Sequence, residues 1–163
     1  MDIRKIYQYA LQREYEGKRF FEENAERLNS ATAKGAFKKL ASEEQKHIEF
    51  IEFQLKSLKA GEVSSVALGI EMEKAGFFSL RAASEDIEVT VAEAMVADLP
   101  VLRMAYLIEH DFSEFYEMAA GKSEGEAKTV LEMLARWERT HEVLFKKLHD
   151  RAFEEYSQMP WGG

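Results

Sequence analysis

The chain has 163 residues and a formal net charge of −8, with only 9 glycines and 2 prolines. So few helix-breaking residues, beside abundant Glu, Lys, Ala and Leu, favour an all-α protein. Negative charge without a basic cluster argues against nucleic acid as a partner. Cysteine is absent, which excludes disulfides, iron–sulfur ligation and thiolate-bound metals among these residues. Any bound metal must have oxygen and nitrogen ligands.

The first half of the chain predicts a helical hairpin. Apolar residues recur at helical spacing over residues 2–29, and the pattern fades at Ser30, a candidate N-cap. A second stripe over residues 32–60 stops before Gly61, a residue type that suits the position after a helix end. Helices joined by so short a connection are expected to pack antiparallel.

A less regular segment follows and predicts a long crossover over residues 61–97, in which Thr90 could cap a short helix. The spacing of Asp98 and Pro100 then resembles the start of another helix. Helical spacing predicts the last two helices over 98–121 and 125–156, with a short tail at 159–163. We therefore predict one all-α domain over residues 1–158, a four-helix bundle of two antiparallel hairpins joined by a long crossover.

The two halves of the chain resemble each other. ALQREYEGKRFFEENA aligns with AYLIEHDFSEFYEMAA at a shift of 95 residues, and LASEEQKH aligns with LARWERTH at a shift of 94. Acids and histidines fall in register in both alignments. The equivalent pairs are Glu14 and Glu109, Glu44 and Glu138, and His47 and His141. This register predicts a duplicated helical hairpin.

These six polar residues interrupt the apolar stripes of all four predicted helices. Ionised carboxylates in an apolar interior are unfavourable unless positive charge lies beside them. Two divalent cations would balance four carboxylates and two neutral imidazoles, and Glu-x-x-His spacing puts both side chains on one helix face. A plain bundle would leave the four acids unexplained. The sequence thus predicts a dimetal site with the ligands Glu14, Glu44, His47, Glu109, Glu138 and His141.

This pattern resembles the ferritin-like superfamily, and in particular the rubrerythrin-type di-iron domain, along all four helices. The resemblance implies a ferritin-like four-helix bundle that binds two iron ions. It implies that Glu44 and Glu138 bridge the metals, that Glu14 and His47 complete one metal position, and that Glu109 and His141 complete the other.

The chain also departs from the rubrerythrin pattern. Rubrerythrins carry an additional carboxylate three residues after the helix-3 glutamate, where this chain has Phe112, and the equivalent helix-1 position is Gly17. A tyrosine expected in helix 1 is Phe21, while Tyr116 is kept in helix 3. The rubredoxin domain is missing from these residues, so an external electron donor is expected.

The resemblance implies an enzyme that reduces hydrogen peroxide or dioxygen, with electrons from a donor such as rubredoxin or a flavoprotein. The four glutamates and Tyr116 are the candidate catalytic residues, although a tyrosine at helical spacing also suits a core. A ferritin-type ferroxidase or iron-storage protein is the alternative, and an oxygenase would need a substrate cavity. The same ligand types accept manganese or zinc.

The remaining expectations concern partners and location. No segment reaches the roughly 20 apolar residues of a membrane span, and the charged, amphipathic start is unlike a signal peptide. We expect a cytoplasmic protein without a membrane partner. Phe77, Phe78 and Leu80 could supply the apolar face of a homodimer.

Several residues near the predicted ligands have no role in this interpretation. Glu43, next to a predicted ligand, is expected on the solvated surface. His110 and His149 lack an acid at ligand spacing and are expected to face solvent. Trp137 is expected to pack in the core.

Overall fold

Helices form most of the chain, and no strand occurs in the part of it that the structure describes. The computed structural model describes residues 2–75 and 96–160. The predicted all-α fold class is confirmed, although the first helix ends at Ala25 instead of residue 29. The helices are α1 (Ile3–Ala25), α2 (Ala31–Lys59), α3 (Ala67–Lys74), α4 (Leu99–Gly121) and α5 (Gly125–Gln158).

Local signals fix the two ends of α2. The side chain of Ser30 accepts a hydrogen bond from the backbone N–H of Ala33 at 3.3 Å, as its predicted N-cap position requires. Beyond the other end, Gly61 has φ +83°, a left-handed conformation that favours glycine. Both signals are readable in the sequence, and both lie at the predicted positions.

Asp98 precedes α4 as predicted, but its side chain does not cap that helix. Its carboxylate instead accepts hydrogen bonds from the backbone N–H of Asn29 at 2.8 Å and from that of Ser30 at 2.9 Å. The side-chain amide of Asn29 adds a bond of 3.0 Å. Asp98 therefore ties the start of the second hairpin to the turn of the first.

The helices pack as two hairpins. α1 lies along α2 and α4 lies along α5, while α1 against α4 and α2 against α5 join the hairpins. Their buried apolar residues form two clusters. The first cluster includes Tyr7, Phe50, Tyr116, Leu131 and Trp137. The second cluster includes Phe21, Phe37, Leu40, Leu102 and Phe145.

The order of these clusters along each helix gives the topology. α1 and α5 run from the first cluster to the second, and α2 and α4 run from the second to the first. Each hairpin is therefore antiparallel, while α2 and α4 run in the same direction. The chain must return along the bundle between them, a distance of about 40 Å at 1.5 Å per residue of α2.

The described part of this return segment is fastened beside the first cluster. Tyr7 and Ser64 share a hydrogen bond of 2.9 Å between their hydroxyl groups. The side chain of Gln54 binds the backbone of Ser65 twice, at 2.6 and 2.8 Å. At Gly69 in α3, a Cβ atom would lie 2.5 Å from Cε of Met133. Glycine thus permits α3 to lie close against α5.

Two sequence predictions concern residues outside the described ranges. They are the short helix capped by Thr90 and the dimer face of Phe77, Phe78 and Leu80. Within residues 2–75 and 96–160, none of the helices has the length and apolar character needed to cross a membrane.

Candidate metal centre

A layer of polar side chains separates the two apolar clusters. Each of α1, α2, α4 and α5 contributes to it at the point where the helix passes from one cluster to the other. The structure brings together all six residues that the sequence predicts as ligands, and each is between 0% and 2% exposed. They are Glu14, Glu44, His47, Glu109, Glu138 and His141.

The first potential metal position surrounds the imidazole of His47. Its Nδ1 atom lies 3.3 Å from Oε2 of Glu14, 2.8 Å from Oε1 of Glu138 and 3.7 Å from Oε2 of Glu44. One ligand atom from each of these four residues lies within 4.8 Å of the others, close enough for a single ion to bind all four.

The second potential metal position surrounds the imidazole of His141. Its Nδ1 atom lies 3.2 Å from Oε2 of Glu109, and 3.5 Å from one oxygen of Glu44 and one of Glu138. These four residues again present ligand atoms within 4.8 Å of one another. Glu44 and Glu138 belong to both groups, which is the arrangement that bridging carboxylates require.

Unsatisfied oxygens test whether this layer suits metal ions. Both oxygens of Glu44, both of Glu138 and Oε1 of Glu109 are buried and accept no hydrogen bond from any residue in the described ranges. The nearby imidazole nitrogens are close enough for charge attraction but are not aligned with these oxygens as hydrogen-bond donors. Buried carboxylate oxygens without donors are strongly unfavourable. A pair of divalent cations fits this set of oxygen and nitrogen atoms.

Family comparison agrees with this geometry. The sequence profile of the rubrerythrin family matches residues 5–149, a range that contains most of both hairpins and all six polar residues. The chain belongs to the rubrerythrin family. The rubrerythrin domain implies a di-iron site, so the family and the structure indicate the same kind of centre. Comparisons with curated proteins and with solved structures gave no match.

Tyr116 joins this rubrerythrin site through Glu14. Its phenol donates a hydrogen bond to Oε1 of Glu14, and both side chains are buried. Burial, followed by the negative charges of Glu14 and Glu138, raises the pKa of Tyr116 well above its ordinary value. The phenol thus stays protonated and holds one oxygen of Glu14, while the other oxygen faces His47.

Glu43 is the residue that sequence reasoning missed. It is expected on the surface, yet it is only 9% exposed, and its Oε2 lies 2.8 Å from Nε2 of His141. At the equivalent position in the second hairpin, the indole of Trp137 stacks on His47 with ring centroids 5.3 Å apart. The alignment of the two halves pairs Glu43 with Trp137, and each residue directly precedes a predicted ligand. This alignment is the sequence signal that could have identified Glu43.

His110 and His149 are partly buried and not fully exposed to solvent as expected. The Nδ1 atom of His110 lies 3.0 Å from Glu142. That of His149 lies 3.1 Å from Asp150, and its ring packs against Tyr106. The Nε2 atom of His110 also lies 3.3 Å from Glu114, and none of these acids belongs to either group of potential ligands.

Without metal ions, the surroundings of the two outer carboxyl groups favour their protonated forms. Burial, reinforced by the charge of Glu44, raises the pKa of Glu14 to about 8. Burial and the charge of Glu44 also raise the pKa of Glu109 well above its ordinary value. Glu14 is therefore a neutral acid at pH 7, and the protonated form of Glu109 is favoured in the same way.

The bridging carboxylates and the imidazoles carry opposite charges. Burial opposes ionisation of Glu44 and Glu138, but the adjacent imidazoles outweigh it and lower the pKa of each carboxyl group. Burial likewise opposes protonation of His47, yet the charges of Glu138 and Glu44 raise its pKa well above the usual value. For His141, burial is outweighed by contacts with Glu109 and its other carboxylate neighbours, and the pKa is raised as well.

Proposed function

We propose that this protein is a rubrerythrin-like peroxidase that reduces hydrogen peroxide, or dioxygen, at two bound iron ions. A separate donor protein, such as a rubredoxin or a flavoprotein, would supply the electrons. The observation that carries the proposal is the buried layer of four glutamates and two histidines, in which two carboxylates belong to both potential metal positions.

Each residue of the layer has a distinct task in this proposal. Glu44 and Glu138 would hold both ions, while the remaining ligands would each hold one. When bound, two ferrous ions supply the two electrons that convert one peroxide and two protons into two water molecules. Glutamate suits the bridging positions because its oxygens can bind one or two cations as the charge at the site changes. Tyr116 holds Glu14 in place and keeps a protonated oxygen next to the site.

Burial of the ligands favours a small oxidant over a bulky organic substrate. All six ligand side chains are at most 2% exposed, and aromatic rings from both apolar clusters lie above and below them. Peroxide and dioxygen are small enough to enter through minor movements of these side chains. An organic substrate would need a preformed cavity beside the ions.

The lack of cysteine supports an external donor. Rubredoxin-type iron needs four thiolates, and the 163 residues contain none. Electrons must therefore come from a different polypeptide or from another part of a longer one. The proposed ligands would also accept manganese or zinc, and zinc, which has no redox chemistry, could not donate electrons to peroxide.

Rapid mixing tests the proposal directly. Protein loaded anaerobically with two ferrous ions per chain is mixed with hydrogen peroxide, and iron oxidation is followed by absorbance. We expect one peroxide to oxidise two irons, and Glu44→Gln to abolish this reaction. The matched control is Glu49→Gln, since Glu49 lies exposed on the same helix and accepts a hydrogen bond from nearby Gln45.

A ferritin-type role makes the opposite prediction. A ferroxidase or storage protein would react faster with dioxygen than with peroxide. It would also take up far more than two irons per chain and assemble into a hollow shell. That result would replace the peroxidase proposal while leaving the dimetal site in place.

A further inference from the structure

Glu43 contacts the proposed metal centre without belonging to either group of potential ligands. Its Oε2 lies 2.8 Å from Nε2 of His141, on the side of the ring opposite Nδ1. A carboxylate can only accept, so Nε2 carries the hydrogen of this bond. Nδ1, the atom that lies 3.2 Å from Glu109, is then the nitrogen that binds a metal once it gives up its own proton.

The contact concerns one metal position. His141 and Glu109 belong to one group of potential ligands, and Glu14 and His47 belong to the other. The duplicated hairpin has Trp137 in place of Glu43, and an indole has no oxygen with which to accept a hydrogen bond. The two halves of the site therefore have the same types of ligand but differ at the residue directly before Glu44 and Glu138.

We propose that Glu43 is a positioning residue that orients His141 and selectively strengthens metal binding at the position formed with Glu109. This inference rests on the proposed metal ligands but not on peroxide reduction.

The physical basis is the orientation of a ligand by its outer neighbour. A carboxylate bonded to the far nitrogen of a metal-bound histidine fixes the tautomer, limits ring rotation and makes the near nitrogen a better donor. Glu43 is nearly buried, so water competes little for its hydrogen bond. Loss of such an outer partner typically weakens metal binding by about 10–100-fold.

Cobalt titration of the full-length, metal-free chain tests the inference. Co²⁺ absorbs visible light and the titration contains no peroxide, so stepwise binding is read from absorbance and calorimetry. The variants are Glu43→Ala and Glu43→Gln, with Glu49→Ala as the exposed control on the same helix. Circular dichroism verifies that each variant folds, and Glu43→Gln preserves the side-chain shape if Glu43→Ala does not fold.

We expect Glu43→Ala to weaken one of the two cobalt-binding steps by about 10–100-fold and to leave the other unchanged. Glu43→Gln keeps an acceptor oxygen without the charge, so its loss should be smaller. In proton NMR of the cobalt protein, the imidazole N–H signal of one histidine ligand should exchange faster with solvent in Glu43→Ala. The control should change neither readout.

Three results separate the possible failures. Equal weakening of both steps, or no weakening, would overturn the role of Glu43 while leaving the two-metal site intact. An unchanged exchange rate of the imidazole N–H would overturn the proposed orientation of His141. Failure of the unmodified chain to bind two ions would overturn the proposed function itself, together with this inference.

Discussion

A Cβ atom at Gly17 would lie 3.0 Å from Cε2 of Phe112, closer than ordinary side-chain contact. These residues occupy equivalent positions in the two hairpins, three residues after Glu14 and Glu109. The hydrogen atom that Gly17 has in place of a side chain therefore leaves room for the ring of Phe112. Phe112 is 4% exposed, and Cζ of Arg13 lies 4.8 Å from its ring centroid, so the ring has little space to move.

Gly17→Ala should therefore be less stable than a matched glycine replacement. Gly35 lies in α2, where a Cβ atom would have open space within 4 Å, so Gly35→Ala should gain about 1 kcal/mol from helix propensity. Overpacking against Phe112 should cost Gly17→Ala about 1–3 kcal/mol relative to that control. Urea unfolding of both variants measures the difference, and equal stabilities would show that the ring yields freely.

Removal of a shared ligand should cost more ions than removal of an outer ligand. Glu44 belongs to both potential metal positions and Glu109 to one. We expect Glu44→Gln to lose both ions and Glu109→Gln to retain one ion per chain. Metal analysis after loading and desalting counts the ions. Identical counts in the two variants would contradict the assignment of Glu44 as a bridge.

Metal binding should release protons, because each ion replaces protons that hold the empty site neutral. The raised pKa values of two carboxyl groups and two imidazoles favour the protonated forms of all four groups in the metal-free site. Two divalent ions should displace these protons, up to four per chain. The groups concerned are Glu14, Glu109, His47 and His141.

The sign of the pH dependence follows from the same groups. Glu14 keeps its proton below a pKa of about 8 in the folded chain, so metal must compete with that proton at lower pH. Zinc affinity should consequently rise as pH increases from 6 toward 8. Calorimetry in buffers of different ionisation enthalpy counts the protons. Zinc binding without proton release would show that the empty site is already deprotonated.

Tyr116→Phe should destabilise the metal-free protein more than Tyr7→Phe. Removal of the Tyr116 hydroxyl leaves a fully buried oxygen of the Glu14 carboxyl group without its donor, at a cost of about 1–3 kcal/mol. Tyr7 bonds to the hydroxyl of Ser64, and an ordinary hydrogen bond of this kind contributes about 1 kcal/mol. Denaturant unfolding compares the two variants. A smaller loss in Tyr116→Phe would mean that Glu14 finds another partner.

The centre of the bundle could be predicted because its chemistry conflicts with its surroundings. A glutamate such as Glu14 on an apolar helix face is energetically unfavourable unless a positive charge lies beside it. Its counterpart, Glu109, repeats that conflict at the same register. The same unfavourable placement in both halves of the chain is strong information, and the family comparison agrees with the resemblance drawn from it.

Contacts beyond the periodic pattern could not be predicted in this way. Consecutive helix residues point about 100° apart, so a stripe that buries Glu44 gives no reason to bury Glu43. In the folded bundle Glu43 contacts His141 of α5, which lies 98 residues away in the sequence. Asp98 shows the same limit, since its position suits a local cap while its actual partners, Asn29 and Ser30, are distant in sequence.

Because the indole of Trp137 stacks on His47, its fluorescence should report whether a metal ion is bound at the position formed with His47. An indole this close to a metal ligand should lose fluorescence when a paramagnetic ion binds, and zinc should quench it much less. Glu73 in α3 accepts a hydrogen bond from Nε1 of Trp137 at 3.1 Å, which keeps the indole in a fixed position. Emission that disappears in Trp137→Phe would thus follow the filling of the neighbouring position in real time, without any added dye.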